Sequence, residues 1–214
     1  MAGNIGVGKT TLTHLLAEAY GWTPHEEATR RNPYLEDFYD DMPRWSFPLQ
    51  IYFLNSRFRQ ALDVATAGRG VVQDRTIYED AHIFARNLRE SKLMSARDHA
   101  TYLGLYDSMR SLVRPPDLLI YLQAGLPRLK EGIRRRGRAY ERSIPDVYLA
   151  NLNELYERWI TGYDAGPLLV INADERDLLK RAEDRGWLHG RIFDHLSVRP
   201  GAGVVTPSGP DVSR

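Results

Sequence analysis

The chain has 214 residues and a formal net charge of +1, long enough for one well-buried domain and too evenly charged to argue for nucleic acid or a membrane surface as a partner. It has no cysteine, so disulfides and thiolate metal sites are excluded, a composition that fits a reducing cytoplasm. No apolar run approaches the roughly 20 residues of a membrane helix, and no signal peptide is visible.

The first twelve residues read MAGNIGVGKTTL. Gly3, four residues, Gly8, Lys9 and Thr10 form the spacing of a phosphate-binding P-loop. Gly3, Gly6 and Gly8 permit backbone angles that turn consecutive N–H groups onto an anion. Asn4, Ile5 and Val7 complete the loop. A helix beginning near Lys9 adds its positive end. Lys9 reaches the outer phosphates of ATP, and the Thr10 hydroxyl is a ligand for Mg2+, with Thr11 beside it. The alternative is a chance glycine turn before a helix, which the amphipathic run after Thr10 disfavours.

In chain order, residues 9–20 read as a helix closed by Gly21. TPHEE is a second strand ending near Glu26 and Glu27, and NPYLEDFYDD is a short helix. Residues 45–67 carry a helical apolar period ended by GRG. GVVQDR is a short buried strand. Two helices follow, over 77–91 and 95–113. PPDLLIYLQA is a strand, LPRLKEGIRRR a helix with Pro127 in its first turn, and RGRAYERSIP a charged loop. Residues 146–163 form another helix, GPLLVINA a strand, and a last helix is expected around DLLKRAED. Residues 1–198 form one domain, and 199–214, rich in Gly, Pro and Ser, a disordered tail. The six histidines have no ligand spacing and read as structural or surface groups. Strands alternating with longer helices predict an α/β fold, a parallel sheet flanked by helices, with ligands beyond the carboxyl ends of the strands.

Asp74 closes an apolar strand, where an acid holds Mg2+ directly or through water, or caps the next helix. Arg134, Arg135, Arg136 and Arg138 cluster beside Gly137. They read either as a lid over about 134–143 that closes on a triphosphate or as a solvated helix end. Glu26 and Glu27 are candidate acceptors for a hydroxyl proton, and the residues alone do not choose between them and ordinary surface acids. Gln50 offers a donor and an acceptor to a base edge. Arg57 and Asp80 flank an aromatic-rich helix, either as a buried ion pair or as a specificity pair.

GNIGVGKTT, NPYLEDFYDD, FPLQIYFLNSRF, QDRTIYEDAHIFA and RRRGRAYERSIP, in that order and spacing, resemble the motifs of the deoxynucleoside kinases from Gly3 to about Ala173. NPYLEDFY is most similar to the bacterial branch acting on purine deoxynucleosides. The resemblance implies ATP-dependent phosphorylation of a deoxynucleoside 5′-hydroxyl, with deoxyadenosine, deoxyguanosine or deoxycytidine preferred over thymidine, and a homodimer. It implies that Glu27 takes the 5′-hydroxyl proton and that Arg75 stands beside that base. Tyr39 and Glu141 bind the 3′-hydroxyl, Gln50 reads the base, Arg57 and Asp80 pair beside it, and Arg136 and Arg138 belong to the lid. Two departures stand out: Ala28 and Thr29 follow Glu27 where the family has Pro and Val, and Thr76 follows Arg75 where it has Ser. Glu26 therefore stays open as a substitute base. A thymidylate-kinase-like monophosphate kinase and an inactive nucleotide-binding protein are the rival readings.

Only Met1 and Ala2 precede the loop. The expectation is that the first strand is missing, lost by truncation or by a misplaced start. The strands ending at Asp74 and Ala124 would then face a gap.

Overall fold

In the computed structural model, residues 1–26, 32–141 and 143–197 are described. Their strands are β1 (Ala2–Gly3), β2 (Thr23–His25), β3 (Val71–Gln73), β4 (Leu119–Gln123) and β5 (Leu168–Asn172), every pairing parallel. Pairing gives one sheet in the order β1-β4-β5 and a second of β2-β3. The first strand is therefore short rather than missing, which corrects the expectation. Ala2 and Gly3 pair with Tyr121 and Leu122 of β4. On the other side the Met1 amine donates to Gln73 O at 2.7 Å, and Arg75 N–H donates to Met1 O at 2.9 Å. Three residues thus join the two sheets in the order 2-3-1-4-5. Farther back, β3 and β4 keep β2 and β5 on their outer sides.

The residues of β4 alternate between two cores, as expected of a strand buried on both faces. Leu119 and Tyr121 join Leu49, Phe53, Leu149 and Tyr156 on one side; Ile120 and Leu122 join Leu12, Leu16, Leu169 and Ile192 on the other. The first face is covered by α2 (Leu35–Asp40), α3 (Met42–Thr66) and α8 (Asp146–Thr161), and the second by α1 (Lys9–Tyr20) and α9 (Ala182–Ser197). Gly21 ends α1 with φ 65°, and Trp22 N–H caps Ala17 O at 2.9 Å.

After β3 the chain runs through α4 (Ile77–Glu79), a π-helical segment over Asp80–Ala85 and α5 (Arg86–Glu90), then α6 (Ala96–Arg110). The sequence period predicts one uninterrupted helix over 77–91 and does not reveal the π segment. Between β4 and α8 come α7 (Leu126–Arg136) and a 3-10 turn over Ala139–Glu141.

The helix expected around DLLKRAED is also corrected, since α9 begins only at Ala182. Asp177 accepts the backbone N–H groups of Leu179 and Lys180, and Asp184 accepts that of Asp177. These local side-chain bonds hold residues 177–181 in turns and compete with helix. Among the described residues no helix is long and apolar enough to cross a membrane. The expected tail over 199–214 lies outside the described residues.

Candidate active site

The phosphate loop joins β1 to α1. Gly6 and Gly8 have φ of 88° and 105°, a region costly for any residue with a Cβ. A Cβ on Gly6 would also strike Leu129 O, and one on Gly132 would overlap Gly6 O, so loop and α7 meet backbone to backbone. The cavity above the loop, about 670 Å³ including its open mouth, is lined by Gly6, Gly8, Lys9, Thr10, Thr11, Asp74, Gly132, Arg135 and Arg136. Lys9 is buried, and its Nζ donates to Asn4 O at 3.0 Å. Asn4 turns its side chain away from this cavity and donates to Leu149 O and Asn153 Oδ1 of α8. Gly3 and Val7 line neither this cavity nor its neighbour, while Ile5 lines the neighbouring one.

The Thr10 hydroxyl donates to Asp74 Oδ2 in a short hydrogen bond, and Asp74 Oδ1 is buried with no hydrogen-bond partner. A threonine hydroxyl joined to a carboxylate whose other oxygen is buried and unsatisfied suits a hard cation held with phosphate oxygens. These two residues therefore fit Mg2+.

The second cavity, about 570 Å³ counted the same way, lies beside the loop on the α3 side. Tyr39, Gln50, Arg75, Asp80, Phe84, Arg136, Arg138, Tyr140 and Glu141 are among its walls. Gln50 is buried, and its Oε1 has no partner. Tyr39 stacks on Tyr140 with centroids 5.6 Å apart, and the Arg75 guanidinium sits 4.5 Å over the Phe84 ring. Arg57 is fully buried behind this wall, its Nε 3.6 Å from Asp80 Oδ2, so it backs Asp80 rather than lining the cavity. Burial pushes the Tyr148 hydroxyl on the far wall up to about 12.

Arg136 lines both cavities. Its Nε and Nη2 donate to Glu141 at 2.9 and 2.7 Å, and Arg138 Nη1 lies 3.4 Å from the same carboxylate. Gly137, with φ 71°, ends α7 between them. Arg135 reaches the phosphate cavity.

Glu26 lines neither cavity; it is half-exposed and pairs with His14 at 2.8 Å. Glu27 lies outside the described residues, as does position 142 of the lid. The last residue of β2, His25, accepts the Asp74 N–H at 2.8 Å. Sequence reasoning missed Phe84, Tyr140, Glu79, Tyr156 and Gly132. Phe84, Glu79 and Tyr140 stand inside motifs already singled out, but aromatic and acidic types there read equally as core or surface.

A family model described as deoxynucleoside kinase matches residues 1–197, a span that takes in every described residue. The chain belongs to the deoxynucleoside kinase family. This kinase is 43% identical over 183 residues to the deoxyadenosine/deoxycytidine kinase of Bacillus subtilis, covering 84% of this chain and 83% of that one. It is 41% identical to the deoxyadenosine kinase of Dictyostelium discoideum, over 82% of this chain and 71% of the relative. The deoxyguanosine kinase of Lactobacillus acidophilus is 34% identical, over 92% and 89%. Among solved structures, the kinase is similar to deoxyadenosine kinase from M. mycoides with bound dATP, with a TM-score of 0.78, 27% identity and 89% and 96% of the two chains covered. Its fold is thus an α/β P-loop kinase fold, and the enzyme phosphorylates nucleosides.

Proposed function

We propose that this kinase transfers the terminal phosphoryl group of ATP to the 5′-hydroxyl of deoxyadenosine, deoxyguanosine or deoxycytidine, in preference to thymidine. The observation that carries the reading is the wall shared by the two cavities. Asp74 faces the phosphate cavity, Arg75 the neighbouring one, and Arg136 both. A donor and an acceptor bound on either side of that wall meet at a single boundary, as in-line transfer requires.

In this reading the loop's N–H groups, with Lys9, hold the triphosphate. Thr10 and Asp74 hold Mg2+, which when bound offsets charge on the outer phosphates. Glu27 accepts the 5′-hydroxyl proton as the 5′-oxygen forms its bond to the terminal phosphorus. The bond from that phosphorus to the bridging oxygen breaks, and ADP leaves. Arg75 steadies the 5′-oxygen, and Arg136 and Arg138 meet the charge that spreads over the transferring group. Tyr39 and Glu141 bind the 3′-hydroxyl. Gln50 reads the base edge, with Asp80 beside it and Arg57 behind. The unsatisfied, buried Gln50 Oε1 supports a polar base edge as its partner. A cytoplasmic homodimer serving nucleotide salvage is the setting the family resemblance supports.

The test is an ATP-dependent assay over the four deoxynucleosides, with thermal-shift measurements on nucleosides and nucleoside monophosphates. Turnover of a purine deoxynucleoside or deoxycytidine above thymidine is expected. Stabilisation and turnover by a monophosphate alone would replace this reading with a monophosphate kinase. Binding of ATP without turnover would leave a nucleotide-binding protein.

A further inference from the structure

Glu79 and Tyr156 are fully buried, and neither lines either of the two cavities described above. Both are polar, and their contacts converge on two places. Glu79 Oε2 accepts Thr76 N–H at 2.9 Å, and Oε1 accepts Gly3 N–H at 3.3 Å and lies 3.6 Å from Arg75 Nη1. The Tyr156 hydroxyl accepts a hydrogen bond from Arg75 Nη1 at 2.8 Å. It has one proton to give and two acceptors in reach, Glu79 Oε1 at 2.7 Å and Gly3 O at 2.8 Å. Burial raises the Tyr156 pKa well above its ordinary value, so that proton stays in place.

The network therefore ties Gly3, the first residue of the phosphate loop, to the guanidinium that faces the nucleoside cavity. Arg75 needs such a tie. Its backbone is left-handed, with φ 69°, although it carries a full side chain. Strain of this kind persists only where surrounding groups over-determine it. A tyrosine and a glutamate buried for core volume alone would be better replaced by apolar residues, since polar burial costs free energy unless every group is satisfied.

We propose that Glu79 and Tyr156 are positioning residues for Arg75: the Tyr156 hydroxyl and the Glu79 carboxylate hold its guanidinium at a fixed distance from the phosphate loop. The inference rests on the reading that Arg75 acts at the reacting oxygen. Misplacing an aligned group by about 1 Å costs on the order of a hundredfold in rate, so loosening this tie acts on turnover more than on binding.

The experiment is a double-mutant cycle on the full chain with deoxyadenosine and ATP. Tyr156→Phe removes one oxygen and keeps the ring in the core. It is expected to lower kcat about tenfold or more while the KM for ATP stays within about twofold. Arg75→Gln is expected to lower kcat at least as far, and the double variant Arg75→Gln/Tyr156→Phe to be no slower than Arg75→Gln alone. Glu79→Gln, which keeps the side chain's shape, runs through the same cycle and carries the test if Tyr156→Phe does not fold. A lowered melting temperature with kcat unchanged in the folded variants would reduce the pair to a brace and overturn the proposal. So would losses that multiply in the double variants. Normal turnover by Arg75→Gln would instead remove the reading of Arg75, and the proposal with it.

Discussion

Asp74 and Arg75 are consecutive in the chain, and their side chains open into different cavities. Asp74 meets Thr10 above the phosphate loop; Arg75 lies over Phe84 in the nucleoside cavity. The end of β3 is thus the partition between the two cavities, which in the proposed reading hold the two substrates, and the left-handed backbone of Arg75 is where the partition turns. Substitutions at the two positions should separate cleanly. Asp74→Asn is expected to raise the Mg2+ concentration needed for half-maximal rate while leaving stabilisation by deoxyadenosine unchanged in a thermal shift. Arg75→Gln is expected to leave the Mg2+ requirement alone and lower kcat. Titrating Mg2+ against rate for both variants checks the division, and a common shift in both would show that the partition does not divide their roles.

The proton acceptor is assigned to Glu27, with Glu26 as the rival. Glu26 is engaged with His14 at the surface. Glu27→Gln should lower kcat by roughly a hundredfold or more with a smaller change in KM for the nucleoside, while Glu26→Gln stays near wild type. Steady-state kinetics on the two variants decide it. A crippled Glu26→Gln beside a mild Glu27→Gln would move the assignment by one residue.

Base choice is expected to follow the buried polar wall of Gln50 and Asp80. Deoxyadenosine, deoxyguanosine and deoxycytidine should exceed thymidine in kcat/KM. Gln50→Leu should lower kcat/KM for the favoured base by roughly tenfold, the scale of about 1–3 kcal/mol for a buried hydrogen bond lost. Arg57→Leu should act differently. It strands the Asp80 carboxylate in the interior, a change of about 3–5 kcal/mol in stability, so its first sign is a fall in melting temperature. Thymidine as the best substrate would end this account of specificity.

Most of the architecture was legible in the sequence because each part is local. The spacing of Gly3, Gly8, Lys9 and Thr10 fixes a loop, and the apolar run of β4 fixes a strand buried on both faces. What was not legible depends on partners distant in sequence. Two residues are too few to read as a strand, and it is the pairing of Met1 with Gln73 and Arg75, more than seventy positions away, that places them between β3 and β4. The last helix was misplaced because Asp177 and Asp184 bond to backbone and hold off helix until Ala182. Glu79 and Tyr156 stand 77 positions apart, and no local pattern joins them.

The short first strand leads to a prediction of its own. Burial lowers the pKa of the Met1 amine, which lies between the two sheets. Extending the chain ahead of Met1 by about five or six residues rich in Val and Ile would replace that buried amine with a peptide N–H and pair the free lengths of β3 and β4. The extended protein should melt higher, by roughly 2–4 °C for each kcal/mol gained, and turn over deoxyadenosine faster. Calorimetry and a kinase assay on the two forms check it. Equal melting temperatures and equal rates would show that the stub already closes the sheet.

The contact of Gly132 with Gly6 leaves no room for a side chain at either position. With no side chain between them, the stem of the lid and the floor of the triphosphate site touch through bare backbone. A Cβ at either position would therefore act as a wedge, prising the loop from α7 and shifting Arg135 and Arg136, which stand at the far end of that helix and line the cavity above the loop.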